Sequence, residues 1–245
     1  MNAFDVKQTV GQIVAHDLGL SRVFETLGID YCCGGKKTIH EASRQKGLDP
    51  QTVLSMLAEY GRTWTTTAAS AGTAAVSLTA LADHIEATHH AYLRKELTRL
   101  DAMSEKVAAE HGTRDPRLHR VRETLRAMAN ELYSHMLKEE QVLFPMVRQL
   151  DASDEAPKCH CGLLANPVRQ MESEHDDVGA ALERLRELTD GFSSPEWACN
   201  TYRAMLDALA YLERDMHAHI HKENNLLFPR ALEMEVQKQR SSLVS

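Results

Sequence analysis

The segment His135-Met-Leu-Lys-Glu139-Glu-Gln-Val-Leu-Phe144-Pro145 recurs as His219-Ile-His-Lys-Glu223-Asn-Asn-Leu-Leu-Phe228-Pro229, so the chain carries H-x-x-K-E-x-x-x-L-F-P twice. A histidine and a glutamate four residues apart share one face of a helix. The residues upstream identify that face as the buried one. Leu118, Val121, Leu125, Met128 and Leu132 lead in steps of three and four to His135 and Glu139, and the step continues to Val142 and Met146. Tyr202, Met205, Leu209, Leu212 and Met216 lead in the same way to His219, Glu223 and Leu226. Two amphipathic helices therefore carry a histidine and a carboxylate in an apolar seam. An unpaired carboxylate is costly there, and a metal ion removes the cost.

The repeat reaches further back. His90 precedes His135 by about one helix and a loop, and His175 precedes His219 by nearly the same distance. His175 lies in its own seam of Val168, Met171, Val178, Leu182 and Leu185, and His90 is followed at helical spacing by Leu93, Leu97 and Leu100. The unit is a helix with one histidine, then a helix with His-x-x-x-Glu, used twice. Four antiparallel helices, expected near 78–110, 117–150, 166–190 and 195–236, bring His90, His135, Glu139, His175, His219 and Glu223 into one layer of a bundle. A lone core histidine is ordinarily a hydrogen-bonded structural residue, and one H-x-x-x-E is common by chance; the duplicated set is neither. Six such ligands suit two metal ions bridged by the carboxylates. The absence of a thiolate disfavours structural zinc, and mixed imidazole and carboxylate suits iron, with manganese behind it.

Residues 1–62 read as a small helical domain, residues 63–77 as a small-residue linker, and residues 78–245 as the bundle. In the first domain Val10, Ile13, Val14 and Leu18 predict one short helix, and Val23, Phe24, Leu27 and Ile29 a second. Thr38–Lys46 is a third, stopped by Gly47, and Pro50–Tyr60 a fourth, capped by Asp49. Between them lies Asp30-Tyr31-Cys32-Cys33-Gly34-Gly35-Lys36-Lys37. The glycines predict a tight turn with positive φ. A helix start and two lysines beside Cys32 and Cys33 favour thiolates, against the ordinary alternative of small buried apolar residues. As a flexible coil the linker spans roughly 20 Å, enough for the thiols to reach the bundle. Pro145 and Pro229, just past the metal layer, should kink or end their helices.

Of the remaining histidines, His84, His217 and His221 should face away from the seam, and His111 and His119 should be exposed near a loop. His89 is the rival of His90 in the wrong register, and Glu86 is placed to partner His90. Cys159-His160-Cys161 falls in a loop, as a metal-binding or redox pair or as incidental cysteines. A formal net charge of −7 gives no electrostatic case for nucleic acid. No window is apolar enough to span a membrane, and no signal peptide is expected from the first residues. Five cysteines, two of them adjacent, do not form a secreted disulfide framework, and a reducing cytoplasm is expected.

Four motifs together resemble the iron–sulfur cluster repair di-iron proteins (RIC) of the YtfE, ScdA and NorA type. They are Asp30–Lys36, Ser134–Pro145, Met171-Glu-Ser-Glu-His175-Asp176, and Glu223–Ala231. The resemblance spans nearly the whole chain. It implies an all-α fold, in which a hemerythrin-like up-down four-helix bundle holds a non-haem di-iron centre with oxo and carboxylate bridges. The matching ligand positions are His90, His135, Glu139, His175, His219 and Glu223. The resemblance further implies that Cys32 and Cys33 act with the centre, and that damaged iron–sulfur proteins and nitric oxide or another small diatomic ligand are the partners. It leaves open iron donation, nitric-oxide scavenging or sensing, and nitric oxide reduction, and it admits a homodimer. Oxygen-carrying hemerythrins place another histidine four residues after the one at 175; here Gly179 stands there, leaving positions open for a small molecule.

Overall fold

The computed structural model describes residues 4–64, 76–153 and 163–242, and these are helical with no strand. An antiparallel bridge, Thr9 to Thr38, ties together the starts of the helices that begin at Val10 and Ile39. Cys159-His160-Cys161 and most of the expected linker lie outside the described residues; Thr63 and Trp64, assigned to the linker, are helical.

The N-terminal part holds α1 (Val10–His16), α2 (Ser21–Thr26), α3 (Ile39–Gln45) and α4 (Pro50–Trp64), with 3-10 turns at Leu18–Leu20 and Cys33–Lys36. Thr9 and Thr38 close capping boxes with Gln12 and Glu41. Asp49 caps α4 by accepting from the Thr52 N–H at 3.0 Å. Gly47, at φ +69°, ends α3 as expected. Val10, Ile13, Phe24, Tyr31, Ile39 and Leu57 form its core. Leu18 is half exposed, because the chain leaves the helical path at Asp17.

Four long rods form the bundle. The first is α5 (Leu78–Ile85), a π-turn (Glu86–His90) and α6 (Ala91–His111). The second is α7 (Arg117–Lys138), a π-turn (Glu139–Leu143) and α8 (Phe144–Ala152). The third is α9 (Ala165–Leu188). The fourth is α10 (Asn200–Lys222), a π-turn (Glu223–Leu227) and α11 (Phe228–Ser242). The fourth rod starts at Asn200 rather than Pro195. Residues 195–198 make one isolated turn, whose carbonyls are held by Arg203. The bundle core divides in two. One cluster runs from Leu93, Leu132 and Val178 to Ile220, and the other from Ile85, Leu143 and Met171 to Phe228. The division falls at His90, His135, His175 and His219, one on each rod, with Glu139 and Glu223 on the second and fourth.

Pro145 and Pro229 neither end nor break their rods. A proline ring collides with the carbonyl four residues earlier and offers no N–H to it. The π-turn just upstream of each proline widens the helix there, and the helix then resumes. That extra residue also shifts the buried face by about one position. Val142, assigned to the seam, is 44% exposed, whereas Leu143 is buried; likewise Leu227, not Leu226, is fully buried.

Candidate metal centre

Seam positions on the four rods aim one imidazole each at a common layer, and the π-turns carry the two carboxylates into it. His90, Glu139, His219 and Glu223 lie close enough to hold one ion, and His135, Glu139, His175 and Glu223 a second. All six side chains are buried. The Nε2 of His135 is 3.2 Å from Glu139 Oε2, and that of His90 is 3.3 Å from the same oxygen. The Nε2 of His175 is 3.1 Å from Glu223 Oε2, and that of His219 is 2.9 Å from Glu223 Oε1. Each glutamate thus faces one histidine of either set. Both Glu139 oxygens, Glu223 Oε2 and His90 Nε2 are buried without a hydrogen-bond partner. Orphaned donors of this kind, two imidazoles and two shared carboxylates per set, fit a pair of bridged cations.

The outer nitrogens of three ligands are held in place. His90 Nδ1 is 2.7 Å from Glu140, which Arg94 also grips. His135 Nδ1 is 3.0 Å from Glu174, itself bonded to Lys138 and Gln170. His175 Nδ1 is 2.8 Å from Asn224 Oδ1. An Nδ1–H donated outward leaves the Nε2 lone pair facing the layer. These partners were missed in the sequence. Glu86, proposed there for His90, instead pairs with Arg148.

The charged groups of the layer act strongly on one another. Burial pulls the His135 imidazole down, but the charges of Glu139 and Glu174 outweigh it and push it up to about 10. Burial pushes the Glu223 carboxyl up, yet His219 and His175 hold it well below the usual carboxylate range. His219, dominated by burial, is lowered.

The other histidines divide differently from expectation. His89 is buried beside the layer, but its nitrogens engage Asp215 at 2.9 Å and Lys222 at 2.7 Å, and its ring stacks on His219. His84 and His119 are exposed. His111 is half-buried against Trp197, and its Nε2 lies 3.2 Å from Cys199 Sγ. His221, expected at the surface, is 1% exposed because the N-terminal part covers it. Tyr31 meets His221 and half-buried His217 edge-on.

Cys32 and Cys33 lie at that contact. The Asp30 carboxylate accepts the N–H groups of Cys32, Cys33 and Gly34 and the Cys32 thiol. The two sulfurs are 3.9 Å apart. The Cys33 thiol donates to the His175 carbonyl at 3.6 Å and occupies the space beside Gly179, where an added Cβ would stand 3.8 Å from the sulfur. The lysines do not attend the thiols: Lys36 pairs with Glu172 and Lys37 with Gln45. The surroundings of Cys32 thus oppose the thiolate expected there. Its hydrogen bond with Cys33, its burial and the nearby Asp30 push this thiol well above the usual range. Gly34 and Gly35 do not take positive φ; Gly35 is small because Asn225 fills the space beside it. A cleft of about 850 Å³ opens between the two parts, with Cys33, Asp176, Gly179 and Arg214 on its walls.

Comparison with known proteins follows the same division. The family described as "Hemerythrin HHE cation binding domain" matches residues 81–231, and ScdA_N, described as a domain of unknown function (DUF542), matches residues 6–60. An "Iron-sulfur cluster repair protein YtfE" from Enterobacter sp. (strain 638) is 35% identical over 230 residues, which is 92% of this chain and 96% of the relative. Proteins of the same name from Pectobacterium carotovorum subsp. carotovorum (strain PC1) and Escherichia coli O157:H7 are 35% and 34% identical, over 93% and 92% of this chain and 98% and 96% of theirs. The chain belongs to the hemerythrin-like, YtfE-type family.

Proposed function

We propose that this chain is a di-iron protein that repairs iron–sulfur clusters damaged by nitrosative or oxidative stress, and that it does so by supplying iron. The observation that carries the reading is the pair of buried donor sets sharing Glu139 and Glu223, with a thiol-bearing loop packed against His175. The names of its relatives favour the same role.

In this reading His90 and His219 would hold one iron and His135 and His175 the other, with Glu139 and Glu223 within reach of both sets. Iron so held would supply redox chemistry and coordination positions that the protein leaves unfilled. Glu140, Glu174 and Asn224 keep three of the imidazoles in the metal-binding tautomer. The two apolar clusters exclude water above and below the layer. Gly179 offers no donor, and Cys33 stands in the space that a side chain there would fill. Cys32 and Cys33 act with the centre from that position, on the side where the cleft opens.

The test is a stoichiometric repair assay. An iron–sulfur dehydratase inactivated with nitric oxide is mixed with the purified, iron-loaded protein. Recovery of its activity, with loss of iron from the repair protein, is expected. Conversion of nitric oxide to nitrous oxide without recovery would overturn the reading in favour of a reductase. Tight nitrosyl formation with neither would favour a scavenger or sensor.

A further inference from the structure

The π-turn Glu223–Leu227 touches three things with three successive side chains. Glu223 enters the metal layer. Asn224 holds His175 at Nδ1. Asn225 points the other way and donates through Nδ2 to the Cys32 carbonyl at 3.0 Å and the Tyr31 carbonyl at 3.4 Å. Its side-chain oxygen fills a notch between two separate stretches of the N-terminal part. A Cβ on Gly11 or on Gly35 would stand 2.3 Å from that oxygen in either case. Both glycines have ordinary φ, so close approach, not backbone conformation, requires them. A cavity of about 100 Å³ lined by Cys32, Cys33, Asn224 and Asn225 lies in the same contact. In the nearby Lys36–Glu172 pair the lysine is largely solvated, so the pair adds little.

We propose that Asn225 is a positioning residue that couples the thiol loop to the metal layer, an inference resting on the di-iron reading above. A cation gripping Glu223 fixes the π-turn, and the π-turn through Asn225 fixes Cys33 over the His175 carbonyl. Removing the cation leaves Glu139 and Glu223 without their shared partner, so the turn and the loop it carries loosen together. Such a coupling is reciprocal: a docked loop must also strengthen metal binding.

The experiment measures the alkylation rate of Cys33 by iodoacetamide in the full chain, iron-loaded and chelator-stripped, with peptide mass spectrometry resolving each cysteine. Cys199, exposed at the start of α10, is the reference thiol. Stripping iron should speed alkylation of Cys33 on the order of fivefold, with Cys199 unchanged. Asn225→Ala should still load with iron when iron is in excess, though with an affinity lower by a similar factor, and should alkylate fast at Cys33 in both states. Gly35→Ala should do the same from the other side of the contact, and it carries the test if Asn225→Ala loses helicity. The double variant should be no worse than either single one, because removing the Asn225 side chain makes room for the added methyl. A merely structural Asn225 would lower the melting temperature and leave the iron dependence intact. Wild-type iron dependence in an iron-loaded Asn225→Ala or Gly35→Ala protein would overturn the coupling, as would a wild-type Cys33 rate indifferent to iron. A wild-type chain that takes up no iron would overturn the metal reading itself, and the coupling with it.

Discussion

His175 Nδ1 and Asn224 Oδ1 lie 2.8 Å apart in the dry core, and this bond decides which nitrogen His175 offers to the layer. With Nδ1 donating, Nε2 keeps its lone pair beside Glu223. Replacing Asn224 by Ala removes the acceptor without touching a ligand. Metal affinity should fall about 10- to 100-fold, as for other partners of metal-bound histidines, while helicity holds. Competition with a chelator measures this; wild-type affinity in Asn224→Ala would show that the imidazole needs no such support.

The ligand set makes a separate prediction. The wild-type chain should bind about two irons, in keeping with a six-residue bundle site of this type. His135→Ala and Glu223→Ala should each lower iron content and remove the di-iron absorption bands. His84→Ala and His217→Ala should leave the bands in place, since these side chains face Lys222 and Tyr31. Full loading of both ligand variants would overturn the assignment.

The seams of α7, α9 and α10 are legible in the sequence because a regular helix repeats its face at a fixed period. His135 and His175 follow that period with the apolar residues around them. The period fails immediately after Glu139 and Glu223, where a π-turn adds a residue that no apolar pattern announces; Val142 and Leu226 were misplaced for that reason. The prolines marked the spot but not its form. Burial of His221 was equally hidden, because its cover comes from Tyr31, far away in the chain. The contact around Asn225 uses backbone carbonyls and the bare faces of glycines, which carry no side-chain signature. Glu140 and Asn224 could have been found: each directly follows a predicted ligand, on the π-turn that carries it.

Cys199 and Cys32 should separate by pH. His111 Nε2, 3.2 Å from Cys199 Sγ, together with the backbone N–H groups of Tyr202 and Thr201, holds the Cys199 thiol below the usual range. A lowered thiol pKa means that thiolate, the reactive form, persists to lower pH. Cys32 is shifted the opposite way. Residue-resolved alkylation should therefore begin at lower pH for Cys199 than for Cys32. His111→Ala should move only the Cys199 profile upward. A Cys199 profile unmoved by that change would remove His111 as the cause.

The vicinal thiols also separate by packing, and this sharpens the test of their role. Cys32 is 4% exposed and belongs to the same apolar cluster as Leu93 and Met216 of the bundle. Cys33 is half-buried and lies on the wall of the cleft. Serine in place of Cys32 puts a hydroxyl into that cluster, where Asp30 is its nearest acceptor. A loss of about 1 kcal/mol in stability is the ordinary outcome for such a change. Serine in place of Cys33 keeps a donor for the His175 carbonyl at little structural cost. Cys33→Ser should therefore leave iron content, helicity and melting temperature nearly unchanged while cluster repair falls. Cys32→Ser should lower the melting temperature as well. Repair at the wild-type rate by Cys33→Ser would exclude a working role for that thiol. If Cys33→Ser instead melted early, the pair would be structural filling of the contact between the two parts of the chain.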